Sequence, residues 1–189
     1  MNSSSDYYYL RNTLKDLLLS RSVRRGDFVL ASGRRSTYYI DARRTTMSGE
    51  GQLLIGLLGL AALDAHGRRP RAVGGMTLGA DPVAYAIAHA AWRAGRPLDA
   101  FTIRKDPKTH GTGRRVEGCL TDGDSVVVVE DVITSGRSAL DAATAAREAG
   151  GQVRGVLAVV DREEGGRTAI EATGLPVVAL VLASELGVE

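Results

Sequence analysis

The sequence has little cysteine and no long apolar run, and each shortage excludes a class of protein. The chain has a single cysteine, Cys119, so no intrachain disulfide can form and no cysteine-based metal site is expected. The thiol is expected to be idle or buried. The longest apolar run, at 53–63, is too short to span a membrane. The N-terminus lacks the charged and apolar pattern of a signal peptide. A soluble, cytoplasmic protein is therefore expected, without membrane association.

Neither sign of charge dominates, and lysine is scarce. The formal net charge is +2, so no broad nucleic-acid surface is expected. The 24 basic residues include only three lysines, Lys15, Lys105 and Lys108. Two of them lie in "RKDPKTHG" (104–111), and this concentration marks the segment as a candidate for a chemical role.

Strand-like and helix-like segments alternate through most of the chain. Apolar spacing predicts an N-terminal helix over 7–20, a hairpin over 27–43 and a helix over 49–67. Strands at 71–76, 98–104, 125–131, 153–162 and 175–183 then alternate with helices at 81–95 and 138–150, and a short helix fits before the last strand. These strands are apolar on both faces, which is typical of a parallel sheet covered by helices. The fold class is thus α/β, with one domain over 1–189 that carries a small N-terminal helix and hairpin.

The usual phosphate-binding motifs are missing, but another candidate is present. No G-x-x-x-x-G-K-[ST] occurs, and "GTGRRVEG" (111–118) lacks the third glycine of a dinucleotide fingerprint. The stretch "VVVVEDVITSGRSAL" (126–140) runs from a strand into a helix, the place where open α/β sheets bind ligands. Backbone N–H groups from Ile133 to Ser138, with nearby hydroxyls and the close approach that Gly136 allows, are suited to a phosphate.

Two adjacent acids, Glu130 and Asp131, precede this loop. Carboxylates would repel a phosphate, so the two acids are expected to face a neutral diol. Each carboxylate can accept hydrogen bonds from the hydroxyls of such a diol. A phosphate and a diol side by side describe a ribose 5-phosphate. The alternative is a helix cap and turn with two solvated acids.

At this point the chain resembles a known family. The 126–140 stretch is similar to the 5-phosphoribosyl-1-diphosphate (PRPP) motif of type I phosphoribosyltransferases. The segments "SGRRSTYYIDAR" (32–43), "GADPVA" (79–84), "IRKDPKTHGTGRRVEG" (103–118) and "VVDR" (159–162) occur in the order seen in orotate phosphoribosyltransferases. The resemblance extends from about residue 14 to 185, and the 104–118 loop is its most specific part.

The resemblance implies an activity and a PRPP site. The family transfers the phosphoribosyl group of PRPP to orotate, with Mg²⁺ held mainly by the pyrophosphate of PRPP rather than by a protein metal site. Glu130 and Asp131 would hold the ribose hydroxyls, and the 132–138 backbone the 5′-phosphate. The basic loop would cover the leaving pyrophosphate and exclude water. The implied PRPP-binding residues are Arg104, Lys105, Lys108, His110, Glu130, Asp131, Val132, Ile133, Thr134, Ser135, Gly136, Arg137 and Ser138.

The same resemblance implies catalytic residues and a dimer. Lys108, His110 and Asp131 would be catalytic, and the 104–118 loop would act on the neighbouring subunit of a homodimer. The alternative is a solvated, charged surface loop. The fold implied is a core over about 50–175 that binds PRPP, beneath a hood formed by about 1–45 and the C-terminal segment.

Orotate is a flat anion and needs a cation and an aromatic or apolar face. The resemblance implies Thr134, Arg162, Tyr38 and Tyr39 as its binding residues. Two alternatives stay open: Asp161 pairs with Arg162, or one of the two tyrosines packs in the core, since strand neighbours point to opposite faces.

Two departures from relatives concern lysines. Many relatives have a lysine where this chain has Ala31. Arg34 or Arg35 would take over the role of that lysine. Some have one in the "GGMTLGADP" loop (74–82), a candidate backbone site for pyrophosphate, where Thr77 and Leu78 stand here. The expected function is therefore orotate phosphoribosyl transfer. The alternatives are transfer to another base, or a regulator that senses PRPP without catalysis.

Overall fold

The computed structural model describes residues 4–29, 35–106 and 115–188. It contains six helices and eight strands within those ranges, followed by a 3₁₀ turn at Ser184–Leu186. The helices are α1 (Ser4–Arg21), α2 (Arg43–Thr46), α3 (Gly49–Ala65), α4 (Ala80–Arg93), α5 (Arg137–Glu148) and α6 (Gly166–Glu171). The strands are β1 (Val23–Val29), β2 (Arg35–Ile40), β3 (Ala72–Met76), β4 (Asp99–Ile103), β5 (Val116–Gly118), β6 (Ser125–Ile133), β7 (Gln152–Asp161) and β8 (Val177–Leu182).

A six-stranded sheet forms the centre of the molecule, in the order β5-β4-β3-β6-β7-β8. All neighbouring strands are parallel except β4 and β5, which pair antiparallel. This arrangement confirms the α/β class, because parallel neighbours joined by helices need helical cover. The carboxyl ends of β3, β4, β6 and β7 consequently lie along one edge of the sheet.

The four consecutive valines of β6 show why the sheet is covered on both faces. Val127 and Val129 pack in a core shared with α1, α3 and α4, whereas Val126 and Val128 pack in a second core with α5 and α6. All four are fully buried. Because successive side chains of a strand point to opposite faces, a continuous apolar run is what a strand between two helical layers requires.

The N-terminal helix and hairpin pack together with the C-terminal turn. Strands β1 and β2 form a separate antiparallel pair. Helix α1 buries Leu14 and Leu18 completely. Its Arg11 donates to the Leu180 carbonyl at 2.8 Å and to Glu185 Oε1 at 2.7 Å, which fastens the last residues of the chain to the first helix. Arg25 of β1 also donates to the Gly187 carbonyl at 3.0 Å, so the C-terminal turn contacts both the first helix and the hairpin.

Two local features differ from the sequence-based expectation. The polar segment expected to be a loop contains strand β5, whose three residues are too few to give a periodic signal. Cys119, expected to be buried or idle, is an exposed free thiol, so the buried alternative is wrong. Among the described helices, none is long and apolar enough to cross a membrane.

Candidate active site

A cavity of about 1310 Å³ opens at the carboxyl edge of the sheet. Its walls come from the segment after β2, the ends of β3, β4, β6 and β7, and the start of α5. Nine residues predicted from the sequence line it: Tyr39, Arg104, Lys105, Glu130, Asp131, Val132, Thr134, Ser138 and Arg162. Lys108 and His110 lie outside the described residues. The structure thus brings the predicted acids, hydroxyls and cations together at the position expected for an α/β sheet.

The two acids lie at the end of β6, where Glu130 is buried and Asp131 is half-buried. Glu130 is 5% exposed, and its Oε1 atom has no hydrogen-bond partner in the described part of the chain. Burial, with a smaller effect of the Asp131 charge, raises the pKa of Glu130 to about 8. Burial also raises the pKa of Asp131, although its Oδ1 accepts a hydrogen bond from the Val132 N–H at 2.8 Å. A buried acceptor without a protein partner is suited to a ligand hydroxyl.

The phosphate turn is shorter than the sequence suggested. Val132 and Ile133 still belong to β6, where they pair with Val160 and Asp161 of β7. The turn then runs through Thr134, Ser135 and Gly136 into α5. These residues, with Arg137 and Ser138, line a small recess at the helix N-terminus. The strand continues because β7 extends equally far and supplies its hydrogen-bonding partners.

Gly136 gives the turn its shape. Its φ of 78° lies in the left-handed region, where a residue with a side chain is strained. Gly166, at the start of α6, packs directly against the turn. A Cβ at Gly166 would lie 2.2 Å from the Thr134 carbonyl oxygen and 2.7 Å from the Gly136 nitrogen. Gly166 therefore supports the turn from behind. The sequence alone does not distinguish Gly166 from the other glycines, of which the chain has 23 in all.

Arg162 and the two tyrosines form the other side of the cavity. The Arg162 guanidinium carbon lies 4.8 Å from the centre of the Tyr38 ring, and Nη2 lies 2.7 Å from Glu164 Oε1. Arg162 is 7% exposed, and its Nε has no hydrogen-bond partner among the described residues. Tyr38 is buried in the core, whereas Tyr39 lines the cavity. One tyrosine therefore supports the arginine and the other faces the open space.

Asp161 does not pair with Arg162, contrary to one of the alternatives. It accepts hydrogen bonds from the Glu163 N–H at 2.9 Å and from Arg167 Nε at 2.8 Å. The partner of Arg162 is instead Glu164, two residues further along the chain. The guanidinium keeps donors available at the cavity, because one carboxylate cannot use all five N–H groups.

The turn after β3 forms the floor beside the acids. Thr77, Leu78 and Gly79 line the cavity, and the Thr77 N–H donates to the Ile103 carbonyl at 2.9 Å. Gly79 packs against the acid pair, since a Cβ there would lie 2.7 Å from Asp131 Oδ1. On the next strand, Arg104 and Lys105 face the same space. The turn at Thr77–Gly79 therefore lies beneath the acids, and the cations Arg104 and Lys105 lie beside them.

Arg43 was not predicted as a site residue. It lines the cavity, and its Nε donates to Asp41 Oδ1 at 3.1 Å. Hydrogen bonding to Asp41 raises the pKa of Arg43, and the positive charge of Arg43 offsets part of the rise that burial causes in the pKa of Asp131. Of Arg34 and Arg35, the two candidates to replace the missing lysine, Arg34 lies outside the described residues, and Arg35 is exposed on β2 and is not among the described residues that line the cavity. Among the described residues of the N-terminal region, the cation that lines the cavity is thus Arg43, which a resemblance centred on lysine positions does not indicate.

Among the described residues there is no group of three or more His, Cys, Asp or Glu side chains that could hold a metal ion. The oxygen donors that line the cavity include the carboxylates of Asp41, Asp106, Glu117, Glu130 and Asp131 and the hydroxyls of Thr77, Thr102, Thr134 and Ser138. Such hard oxygen ligands are compatible with Mg²⁺, provided that the substrate supplies most of the coordination.

The mostly parallel sheet, the acid pair at the end of β6, the turn into the N-terminus of α5 and the separate N-terminal hairpin define a phosphoribosyltransferase of type I. No protein-family profile matches the chain. It is 47% identical over 179 residues to the orotate phosphoribosyltransferase of Aquifex aeolicus, which covers 93% of this chain and 97% of that protein. It is 48% identical over 174 residues to the same enzyme of Mycobacterium avium. The chain belongs to the orotate phosphoribosyltransferase family.

Solved structures agree with this assignment. The orotate phosphoribosyltransferase of Mycobacterium tuberculosis H37Rv in complex with Fe(III) dicitrate superposes with a TM-score of 0.84 at 45% identity, covering 95% of this chain and 99% of that one. The structure of that enzyme in complex with PRPP gives a TM-score of 0.79 at 42% identity, with the same coverage of both chains.

Proposed function

We propose that the protein transfers the 5-phosphoribosyl group from PRPP to orotate, giving orotidine 5′-monophosphate and pyrophosphate in pyrimidine biosynthesis. One observation carries the proposal: the acid pair Glu130–Asp131, the phosphate turn and Arg162 converge on a single cavity. Family membership names the reaction, and the cavity contains a suitable group for each part of both substrates.

The ribose phosphate would bind between the acids and the turn. Glu130 Oε1, which has no hydrogen-bond partner among the described residues, would accept a hydrogen bond from one ribose hydroxyl. Asp131 would accept a hydrogen bond from the adjacent ribose hydroxyl. N–H and hydroxyl donors of residues 134–138 would hold the 5′-phosphate, aided by the positive end of the α5 dipole. As the bond to pyrophosphate loosens, the sugar becomes cationic, so the negative charge of Asp131 stabilises it.

The pyrophosphate would lie over the turn at Thr77–Gly79, beside Arg104 and Lys105. Mg²⁺, held mainly by substrate oxygens, would neutralise charge on the leaving group as it develops. Arg43 adds a cation on the hood side of the same space. We propose that Lys108 and His110 complete this charge compensation.

Orotate would lie against Tyr39 with its carboxylate on Arg162. The unpartnered Nε of Arg162 is a buried donor that the orotate carboxylate would satisfy. The Tyr38 ring beneath the guanidinium keeps it oriented. Thr134 borders both the phosphate turn and the base side of the cavity, and we assign it to orotate as well as to PRPP.

We propose that the protein is a cytoplasmic homodimer in which the 104–118 loop acts on the partner's site. Two large apolar side chains on α4, Tyr85 and Trp92, are 52% and 74% exposed and lie seven residues apart, on one helix face. Leu53 of the adjacent α3 and Leu78 of the cavity turn are also exposed. These exposed apolar side chains, of which Leu78 lines the cavity, suit a dimer in which one subunit reaches the other. We also assign about 1–45 and the C-terminal segment to the hood, and about 50–175 to the PRPP-binding core.

The reaction is tested with purified protein, PRPP, Mg²⁺ and a panel of bases. Orotate consumption is expected only when PRPP is present, with uracil, cytosine and purines turned over poorly because they lack the carboxylate for Arg162. Turnover of another base but not of orotate would overturn the assignment. Binding of PRPP without turnover of any base would instead favour a PRPP-sensing regulator.

The loop in trans is tested by mixing two inactive variants, Lys108→Ala and Asp131→Asn. Random pairing makes half of the dimers hybrids, and each hybrid contains one complete site, so activity should recover to about a quarter of wild type. Lys108→Ala alone is expected to reduce kcat strongly. Unchanged kcat in that variant would contradict the catalytic role of the loop. No recovery after exchange of subunits would contradict action in trans.

A further inference from the structure

Asp81, in the first turn of α4, binds two threonines that face the cavity. Its Oδ2 accepts a hydrogen bond from Thr77 Oγ1 at 2.6 Å, and its Oδ1 accepts a short one from Thr102 Oγ1. Thr77 and Thr102 both line the cavity, whereas Asp81 does not. The carboxylate therefore lies behind the cavity wall and contacts it only through these two hydroxyls.

We propose that Asp81 is a positioning residue for the pyrophosphate subsite, an inference that rests on the proposed function. Thr77 belongs to the turn beneath the pyrophosphate position, and Thr102 lies two residues before Arg104 on β4. The Thr77 N–H also donates to the carbonyl of Ile103, the residue between them. Asp81 thus fastens the turn after β3 to the strand that leads into the basic loop.

Helix capping does not account for these contacts. The N-cap of α4 is Gly79, and no side chain forms a cap hydrogen bond there. Both hydrogen bonds that Asp81 accepts among the described residues come from hydroxyls, not from the N–H groups of α4. Asp81 lies in the first turn of α4, where the helix dipole stabilises its negative charge. This effect accounts for the charge but not for the two hydrogen bonds to threonines.

The contacts also determine which way the two hydroxyls point. Each threonine has one hydroxyl proton, and both protons are directed at the carboxylate, so these hydroxyls serve to hold the turn and β4 in place rather than to donate to a ligand. An asparagine at position 81 keeps the size but replaces one acceptor oxygen with an NH₂ donor. One threonine must then turn its proton away and accept from the amide NH₂, so the hydrogen bond to a charged oxygen on that side is replaced by a weaker neutral one.

The test compares Asp81→Asn with wild type in two measurements: steady-state kinetics for both substrates, and calorimetric binding of pyrophosphate. The hydrogen bonds to a charged acceptor predict a rise of about 10-fold or more in KM for PRPP and in the pyrophosphate Kd. The KM for orotate should stay within about twofold, because Arg162 and Tyr39 are untouched. The matched control is Asp64→Asn, which removes an ion pair with Arg96 away from the cavity.

A second pair of variants keeps the test decisive if Asp81→Asn folds poorly. Thr102→Val should reproduce the weakened pyrophosphate binding, and Thr102→Ser, which keeps the hydroxyl, should restore it. Equal rises in both KM values, unchanged pyrophosphate binding, or equal damage in the Val and Ser variants would each overturn the role of Asp81. Wild-type protein that does not turn over orotate would refute the proposed function instead, and pyrophosphate calorimetry would still decide the role of Asp81.

Discussion

Gly79→Ala should reduce the catalytic activity of this protein while changing its thermal stability little. Gly79 has φ −64° and ψ −44°, a helical conformation that alanine adopts without strain. The added Cβ would nevertheless lie 2.7 Å from Asp131 Oδ1 and 2.9 Å from Oδ2. Ordinary carbon–oxygen contacts begin near 3.3 Å, so the carboxylate must move by about 0.6 Å.

That displacement is expected to reduce catalysis. Asp131 Oδ1 is held by the Val132 N–H, and the movement breaks or bends this hydrogen bond. Misplacement by about 1 Å costs on the order of 100-fold in rate, so kcat/KM for PRPP should fall by about 10- to 100-fold. The Tm should change by no more than about 4 °C, because alanine reduces the entropy of the unfolded chain by an amount that offsets part of the clash.

The assay is initial velocity with PRPP varied at saturating orotate, with thermal unfolding measured on the same preparation. Gly49→Ala is the matched control, since a Cβ at Gly49 has no neighbour within 4 Å. The control should keep wild-type kinetics. Wild-type kcat/KM in a stably folded Gly79→Ala variant would refute the assignment of Asp131 to the reacting centre.

Three further changes test other parts of the site. Burial raises the pKa of Glu130 to about 8, so the folded protein binds more protons there than the unfolded chain between about pH 4.5 and 8, and stability falls as pH rises through this window. The Tm of Glu130→Gln should therefore fall less than that of wild type between pH 5 and 9; parallel curves would contradict the buried acid. Arg162→Lys should raise KM for orotate by about 10- to 100-fold, because lysine cannot bind a carboxylate bidentately, and equal changes for PRPP would argue against a base contact. Gly166→Ala should raise KM for PRPP and lower the Tm by about 2–10 °C through overpacking against the phosphate turn, whereas unchanged PRPP kinetics would show that the turn does not need this support.

Most of the fold was predictable because the apolar pattern has a physical cause. The four valines of β6 alternate between two buried cores, and this double burial is visible in the sequence as an unbroken run. The same end of β6 carries Glu130 and Asp131, so the site edge followed from the strand. Strand β5 escaped prediction because three residues at the edge of a sheet carry too little pattern.

The missed parts of the site are contacts made across the fold. Asp81, Thr77 and Thr102 meet only because β3 and β4 pair in parallel with Met76 opposite Ile103. The pairing of Arg162 with Glu164 rather than with Asp161 depends on Arg167, which occupies Asp161 from another element. Such partners are set by register and packing, which the local sequence does not specify.

The pairing of β4 with β5 has a geometric consequence for the segment between them. The Arg104 N–H donates to the Arg115 carbonyl at 2.9 Å, so these two residues, which are separated by ten residues in the sequence, are neighbours at the sheet edge. A chain of this length that must return to its origin can extend at most about 17 Å from its root, at about 3.4 Å per residue for half of its residues. Because closure entropy depends only weakly on length, insertions or deletions here would change this radius at little cost in stability. The radius therefore sets an upper limit on the distance between the root of the loop and any site on which it acts, in the same subunit or in its partner.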